Sequence, residues 1–381
     1  MTTRLWPTAG LIAGLALAAT PALAQQTIKI PNIIELSGAG ATVGTNWRKG
    51  SILAVEEINA AGGILGKKIE LQFVDTASDP GKARAAIQRA LDDKPVAIFG
   101  PIYSGSVSAT LKLTAEAEVP QIIGGEAANL TAQGSKYLFR TSFGQNVSMP
   151  KIANYLRDGV KAKSVAVVYV NNDFGKGGRN AIIKELETRG IKVVADLSTE
   201  AGQADFAADV VKLKAANADA IFVYLNEEES ARLLIEAKKQ GVTSPLVGET
   251  TLLGQKVIDL AKDAANGVRG HVGLTVDAPI PAIQEFGRKF QAKFNYKPDH
   301  NGVKGYIAAY MLKAAAEKAG KLEGKAIADA LRGLTIKPET TPGILIEGTW
   351  DDTGEIDRIS FLAEIKEGKQ VITETLPKLK P

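Results

Sequence analysis

The chain predicts an α/β protein of two Rossmann-like lobes, each a parallel sheet flanked by helices, and three observations lead there. Short β-branched runs alternate with longer segments of helical period, which is how βα units around parallel sheets read. The alternation occurs twice in succession. The 381 residues, 45% of them hydrophobic, also exceed what one core usually organises. In the first block strands are expected at residues 28–34, 69–74, 96–99 and 121–123, and in the second at 165–170, 191–194, 220–224 and 246–247. The intervening helices keep apolar residues on one face: Phe206, Val210 and Leu213 recur at i, i+4, i+7, and Ile283, Phe286 and Phe290 at i, i+3, i+7. Gly62-Gly63, Gly190 and Gly241 supply the left-handed residue that ends a helix. Residues 277–331 read as mainly helical, with Ile307, Tyr310, Met311 and Ala314 on one face, and strand-like segments follow at 344–346, 359–365 and 370–373. Elements that arrive after both blocks must return to them, so chain crossings are expected near 143–146, 271–276 and 351–354. Lobe 1 then comprises residues 25–144 plus 274–351, and lobe 2 residues 145–273 plus 352–381. Three connections between two lobes make a hinge that bends and resists shear.

The first 24 residues have the form of a secretory signal. Arg4 provides the charged start, residues 11–19 a short apolar centre, and Ala22-Leu23-Ala24 the small-residue cut before Gln25. An apolar run of about 10 residues is too short for a bilayer core that needs about 20. With no Cys in the chain, a lipoprotein anchor and disulfides are both excluded. The formal charge of +4 is scattered, without the basic stripe a nucleic-acid partner requires, and two His residues, His271 and His300, leave few members for zinc or Ser-His-Asp chemistry. There is no G-x-S-x-G elbow and no H-E-x-x-H pair, which sets an exported enzyme well behind a binding protein.

Open α/β sheets bind ligands beyond the carboxyl ends of their strands. In the first block those positions are 37–46, 100–107 and 124–129. The stretch 100–106 leaves a strand and opens a helix with hydroxyls, so Ser104 and the free amides there suit a carboxylate, or simply cap the helix. Gly38, Gly40 and Gly44 follow the first strand with G-x-G-x-x-x-G spacing, which departs from the dinucleotide fingerprint and is expected to let a ligand approach backbone in a tight turn. In the second block the strand ends deliver Asn171 to Gly175, Asn226 to Ser230, and Gly248 to Thr251. Glu249 stands alone in charge after an apolar strand, suited to pair an ammonium or to cap the next helix. Glu227, Glu228 and Glu229 start a helix and are expected to complement its dipole in solvent. Phe174 fits a core position as well as a pocket wall.

Several of these pieces, in chain order, resemble a known family. Ser37-Gly38, Glu56-Glu57-Ile58-Asn59-Ala60-Ala61-Gly62-Gly63-Ile64, Asp79-Pro80, Phe139-Arg140-Thr141, Asn172-Asp173-Phe174-Gly175, Gly248-Glu249 and Trp350-Asp351 look like the periplasmic solute-binding proteins of branched-chain amino-acid ABC transporters, of the leucine/isoleucine/valine-binding type. The resemblance implies the type I periplasmic binding fold, a periplasmic monomer without cofactor or metal, and closure of two lobes on an amino acid. It further implies delivery to an ABC permease and ATPase complex at the inner membrane. Carried over by position, Ser104 and the backbone of Glu126, Ala127 and Ala128 would hold the ligand carboxylate and Glu249 its α-ammonium. Gln145 would lie near the hinge beside the site, and Phe174 matches a wall residue that is usually Tyr. The chain departs from the family pattern at 124–128, where a loop apparently one residue shorter loses a hydroxyl and gains Glu126. Val43 replaces a large aromatic, Asn226 stands near a Tyr position, and Ser78 and Tyr103 replace the pair that forms a disulfide in the type member. These changes leave room for an aromatic or other organic acid as the alternative ligand.

Overall fold

The computed structural model describes residues 1–3 and 27–379. Apart from its first three residues, the expected secretory segment, with its cut after Ala24, lies outside the described residues. Among the described residues no helix is long and apolar enough to cross a membrane. The first lobe begins with β1 (Thr27–Ile34), α1 (Ala41–Ala60), β2 (Lys68–Asp75), α2 (Pro80–Asp92), β3 (Ile98–Phe99), α3 (Ser104–Glu116), β4 (Gln121–Ile123), α4 (Asn129–Ala132) and β5 (Leu138–Arg140). The chain then builds α5 (Gln145–Asp158), β6 (Ser164–Val170), α6 (Asp173–Thr188), β7 (Lys192–Thr199), α7 (Ala207–Ala215), β8 (Ala220–Tyr224), α8 (Glu227–Lys239), β9 (Leu246–Gly248), α9 (Gln255–Ala261) and β10 (Arg269–Val272). It returns with α10 (Pro281–Phe294), α11 (His300–Ala319), α12 (Gly324–Leu331) and three short strands, β11 (Thr335–Ile336), β12 (Gly348–Trp350) and β13 (Ile356–Asp357). The hairpin β14 (Ser360–Lys366) and β15 (Lys369–Leu376) completes the second lobe.

The five-stranded sheet runs β2-β1-β3-β4-β5, all parallel, and the seven-stranded sheet β15-β14-β10-β9-β8-β6-β7, parallel except for the terminal hairpin. The strands expected in the two βα blocks are all present. The two sheets hold two strands beyond those expected, β5 and β10, of three and four residues, too short for a hydrophobic period to show, and β10 is polar as well. Residues 342–344 form a 3-10 turn where a strand-like run was expected at 344–346, because Pro342 and Gly343 set a turn and Leu345 is left-handed at φ 66. The third passage between sheets runs through Arg358 and Ile359, later than the expected 351–354, because β13 first pairs back with β12.

Helix α11 is buried nearly all round, and glycines set how closely it lies on α1. A Cβ at Gly50 would stand 1.9 Å from the Gly302 carbonyl oxygen, and one at Gly305 2.2 Å from that of Trp47. Backbone therefore meets backbone, and the N-terminal turns of α11 are carried to the interlobe cleft. At the hinge, Glu355 accepts hydrogen bonds from Arg140 Nε at 2.9 Å, Gly144 N at 2.9 Å and Thr131 Oγ1 at 3.0 Å, so one buried carboxylate ties two of the passages together.

Candidate ligand-binding site

Strand order reverses in both sheets, between β1 and β3 in one and between β6 and β8 in the other, and such switch points open a crevice at the carboxyl ends. The two crevices face each other across a cavity of about 440 Å³. Lobe 1 lines it with Ala39, Val43 and residues 102–106, and lobe 2 with residues 171–174, Asn226 and Glu227. His300, Asn301 and Lys304 of α11 complete the wall. Thr42 Oγ1 donates to Glu228 Oε1 at 3.0 Å, a direct bond between α1 and α8 across the cleft.

Six of the expected site residues meet in this cavity: Val43, Tyr103, Ser104, Glu126, Phe174 and Asn226. Ser104 opens α3, and the loop that delivers it is fixed by buried Glu35, which accepts from Ile102 N at 3.1 Å and Tyr103 N at 3.2 Å. Tyr103 Oη is buried without a partner. Phe174 serves both as wall and as core, stacking on Tyr224 with ring centroids 4.2 Å apart. Asn226 precedes α8 and donates through Nδ2 to Glu229 Oε1 at 3.2 Å.

Gln145, Ala127, Ala128 and Glu249 stand behind the wall. Gln145 starts α5, accepts from Ala128 N at 3.2 Å and donates to the Phe174 carbonyl at 2.8 Å and Tyr224 Oη at 3.0 Å, which joins the 124–128 loop to lobe 2. The amides of Glu126 and Ala127 both point at Ser104 Oγ, at 3.3 and 3.1 Å. Wholly buried Arg140 holds the carbonyls of Gly125 and Ala127, and because a trans peptide carbonyl points away from the next residue's amide, it turns the Glu126 amide towards Ser104 and the Ala128 amide towards Gln145. Glu249 is buried after β9. Its Oε1 takes a 2.8 Å bond from Thr250 Oγ1 and lies 3.2 Å from His271 Nδ1, while Oε2 has no partner. Burial pushes the Glu249 carboxyl up to about 7 and the His271 imidazole down to about 3, so this contact holds a neutral histidine.

Two expectations are corrected here. The acidic run at the start of α8 is not a solvated face: Glu227 and Glu229 are buried, Glu227 lines the cavity, and Glu229 Oε1 accepts from Gly202 N at 2.6 Å. Burial, with Asp299 nearby, pushes Glu227 up to about 8. The glycines after β1 serve packing more than ligand approach, since a Cβ at Gly44 would stand 1.8 Å from the Glu35 carbonyl oxygen; only Gly38, at φ 76, needs the left-handed region.

Sequence reasoning missed Lys304. Its side chain is almost wholly buried, lines the cavity and is paired with Glu126 Oε1, with the Gly124 carbonyl 3.3 Å from Nζ. Burial raises the Glu126 carboxyl above its ordinary value against the pull of Lys304. The available signal was a lone lysine in the apolar run from Gly302 to Met311. Among the described residues no group of His, Asp and Glu is placed to hold a metal ion.

The profile of the family described as "Periplasmic binding protein" matches residues 27–370. The chain is similar to the leucine-, isoleucine-, valine-, threonine-, and alanine-binding protein of Pseudomonas aeruginosa, 28% identical over 357 residues that cover 92% of this chain and 93% of that protein. It is equally similar to the branched-chain amino acid transporter substrate binding protein LivJ from Streptococcus pneumoniae, solved with isoleucine. That similarity is 28% identity over 93% of this chain and 100% of the other, with a TM-score of 0.82. A solute binding protein of an ABC transporter from R. palustris, solved with benzoate, shares the fold at a TM-score of 0.85 and 21% identity, over 93% of this chain and 97% of the other. Matched from the first strand into the last, with both lobes and their cleft included, this chain belongs to the periplasmic binding protein family.

Proposed function

We propose that this protein is the non-enzymatic solute receptor of an ABC importer. It takes an amino acid of branched-chain type into the interlobe cleft, closes over it and presents the loaded form to a membrane permease and its ATPase. It acts in the periplasm as a monomer, after removal of residues 1–24. The observation that carries this reading is the cavity of about 440 Å³ between the switch points of both sheets, lined by side chains of each lobe. Only a ligand that touches both walls favours the closed arrangement over the open one. Glu249 lies behind the wall, next to the lining residue Glu126, and its buried Oε2 has no partner; this supports an ammonium guest held between the two carboxylates, since a buried acceptor left unpaired costs about 1–3 kcal/mol.

Calorimetric titration with leucine, isoleucine and valine tests the reading. Glu249→Gln should weaken an amine-bearing ligand by tenfold or more, by the loss of about 1.4 kcal/mol or more in a charge-assisted bond. Unchanged affinity removes Glu249 from the site. A second reading, an aromatic or other organic acid as cargo, is favoured by the small Val43 in the wall and by the buried cation of Lys304. A thermal-shift panel separates the two, because the solute class that binds the folded state raises the unfolding midpoint by mass action.

A further inference from the structure

We propose that Lys304 takes the acidic group of the ligand, and that Glu126 is the counter-ion it holds until the ligand arrives. This rests on the reading of the cleft as a solute site. The amides expected to hold a carboxylate are already engaged within the protein: those of Glu126 and Ala127 by Ser104 Oγ, and that of Ala128 by Gln145 Oε1. Arg140 is engaged as well, by Glu355 and the carbonyls of Gly125 and Ala127, and it does not line the cavity. The cationic side chains among the described lining residues are Lys176, exposed at the rim, and Lys304, buried within.

A buried ammonium costs several kcal/mol unless it is paired, and a pair confined to packing is often replaced by apolar side chains without loss. Here both partners face a cavity. An entering carboxylate accepts from Lys304 Nζ in the place of Glu126 Oε1, and Glu126 is released beside Glu249, whose charge it already feels. A zwitterion then satisfies both: its acid meets Lys304 and its amine sits between Glu126 and the neighbouring Glu249. A simple acid displaces Glu126 and leaves it unpaired, so the pair selects amino acids over their des-amino analogues.

The test titrates purified protein, freed of bound solute by unfolding and refolding, with L-leucine, 4-methylpentanoate and benzoate. Lys304→Met should weaken every acid that binds by about 30-fold or more, and Lys304→Arg should recover most of it. Glu126→Gln should strengthen 4-methylpentanoate and benzoate by about tenfold, because Lys304 is then free without displacement. It should weaken L-leucine or leave it unchanged. A pair that only braces the fold lowers the unfolding midpoint in both variants, and Glu126→Gln then weakens all three probes alike, which overturns the proposal. If Lys304→Met fails to fold, the sign of the Glu126→Gln effect on the simple acids decides alone. If no acid raises the midpoint of the native protein but a neutral sugar or a polyamine does, the role of Lys304 falls while solute capture stands. If no solute of any class binds, both fall.

Discussion

At the scale of single residues, the cleft concentrates carboxyls that burial holds partly protonated. Glu227 sits at about 8 and Glu249 at about 7, both raised above the ordinary 4.5 of an unfolded chain. The folded state therefore binds more protons than the unfolded state between about 4.5 and about 8, and the stability these groups contribute is lost as pH rises through that window. Glu227→Gln should stabilise the empty protein more at pH 8 than at pH 5, by no more than a few kcal/mol, read by denaturant unfolding at the two values. An equal shift at both would show that Glu227 does not carry the proton. His271 acts with the opposite sign: held at about 3, it contributes stability that is lost as pH falls below about 6.5. If an ammonium pairs with Glu249, binding must release its proton. Affinity for an amine ligand should then rise with pH up to about 7, and titration heats should depend on the ionisation enthalpy of the buffer. The cavity-lining residues legible in the sequence were those at strand ends, Ser104, Glu126 and Phe174, because topology alone tells which end of a parallel strand meets the cleft. Lys304 was not legible, since it comes from a helix far along the chain whose approach depends on packing.

At the scale of elements, the position of α11 is what brings Lys304 and His300 to the cleft, and it depends on glycine contacts with α1. Gly305→Ala would gain up to about 1 kcal/mol of helix propensity. It would also place a methyl 2.2 Å from the Trp47 carbonyl oxygen and force the helices apart. The clash dominates: denaturant unfolding should show a loss of about 2–3 kcal/mol, with ligand affinity falling as the α11 wall moves. A neutral result would mean that the helices separate without cost. The 124–128 loop depends likewise on Arg140 and Glu355. Breaking a buried pair leaves an unpaired charge, so Glu355→Gln should cost about 3 kcal/mol or more in the same measurement. Helical and strand periodicity exposed most of these elements. The short strands β5 and β10 escaped because three or four residues show no period of their own, and their register comes from neighbouring strands.

At the scale of the whole molecule, the proposed capture of a solute requires the lobes to move as bodies about three passages. Thr42 and Glu228 form a bond that exists only while α1 and α8 are close. Thr42→Val keeps the shape and removes the donor. It should weaken ligand binding by about two- to tenfold through the closed population, with the midpoint of the empty protein nearly unchanged. Small-angle scattering should show a smaller radius of gyration with bound ligand than without, and Thr42→Val should need more ligand to reach it. Superimposable curves at every ligand concentration would remove closure from the mechanism.

The sequence by itself determined the two α/β lobes, their parallel sheets and the loops that face the cleft, because strand and helix periods and the handedness of βα connections are local properties of the chain. Tertiary structure alone decided which groups are charged and which are free. Glu227 became a wall residue instead of a solvated one, the amides behind Ser104 were already engaged, and Lys304 was brought against Glu126 from a helix 178 residues later. Burial, partner and dielectric are set by what packs around a side chain, and residues distant in the chain supply most of that packing.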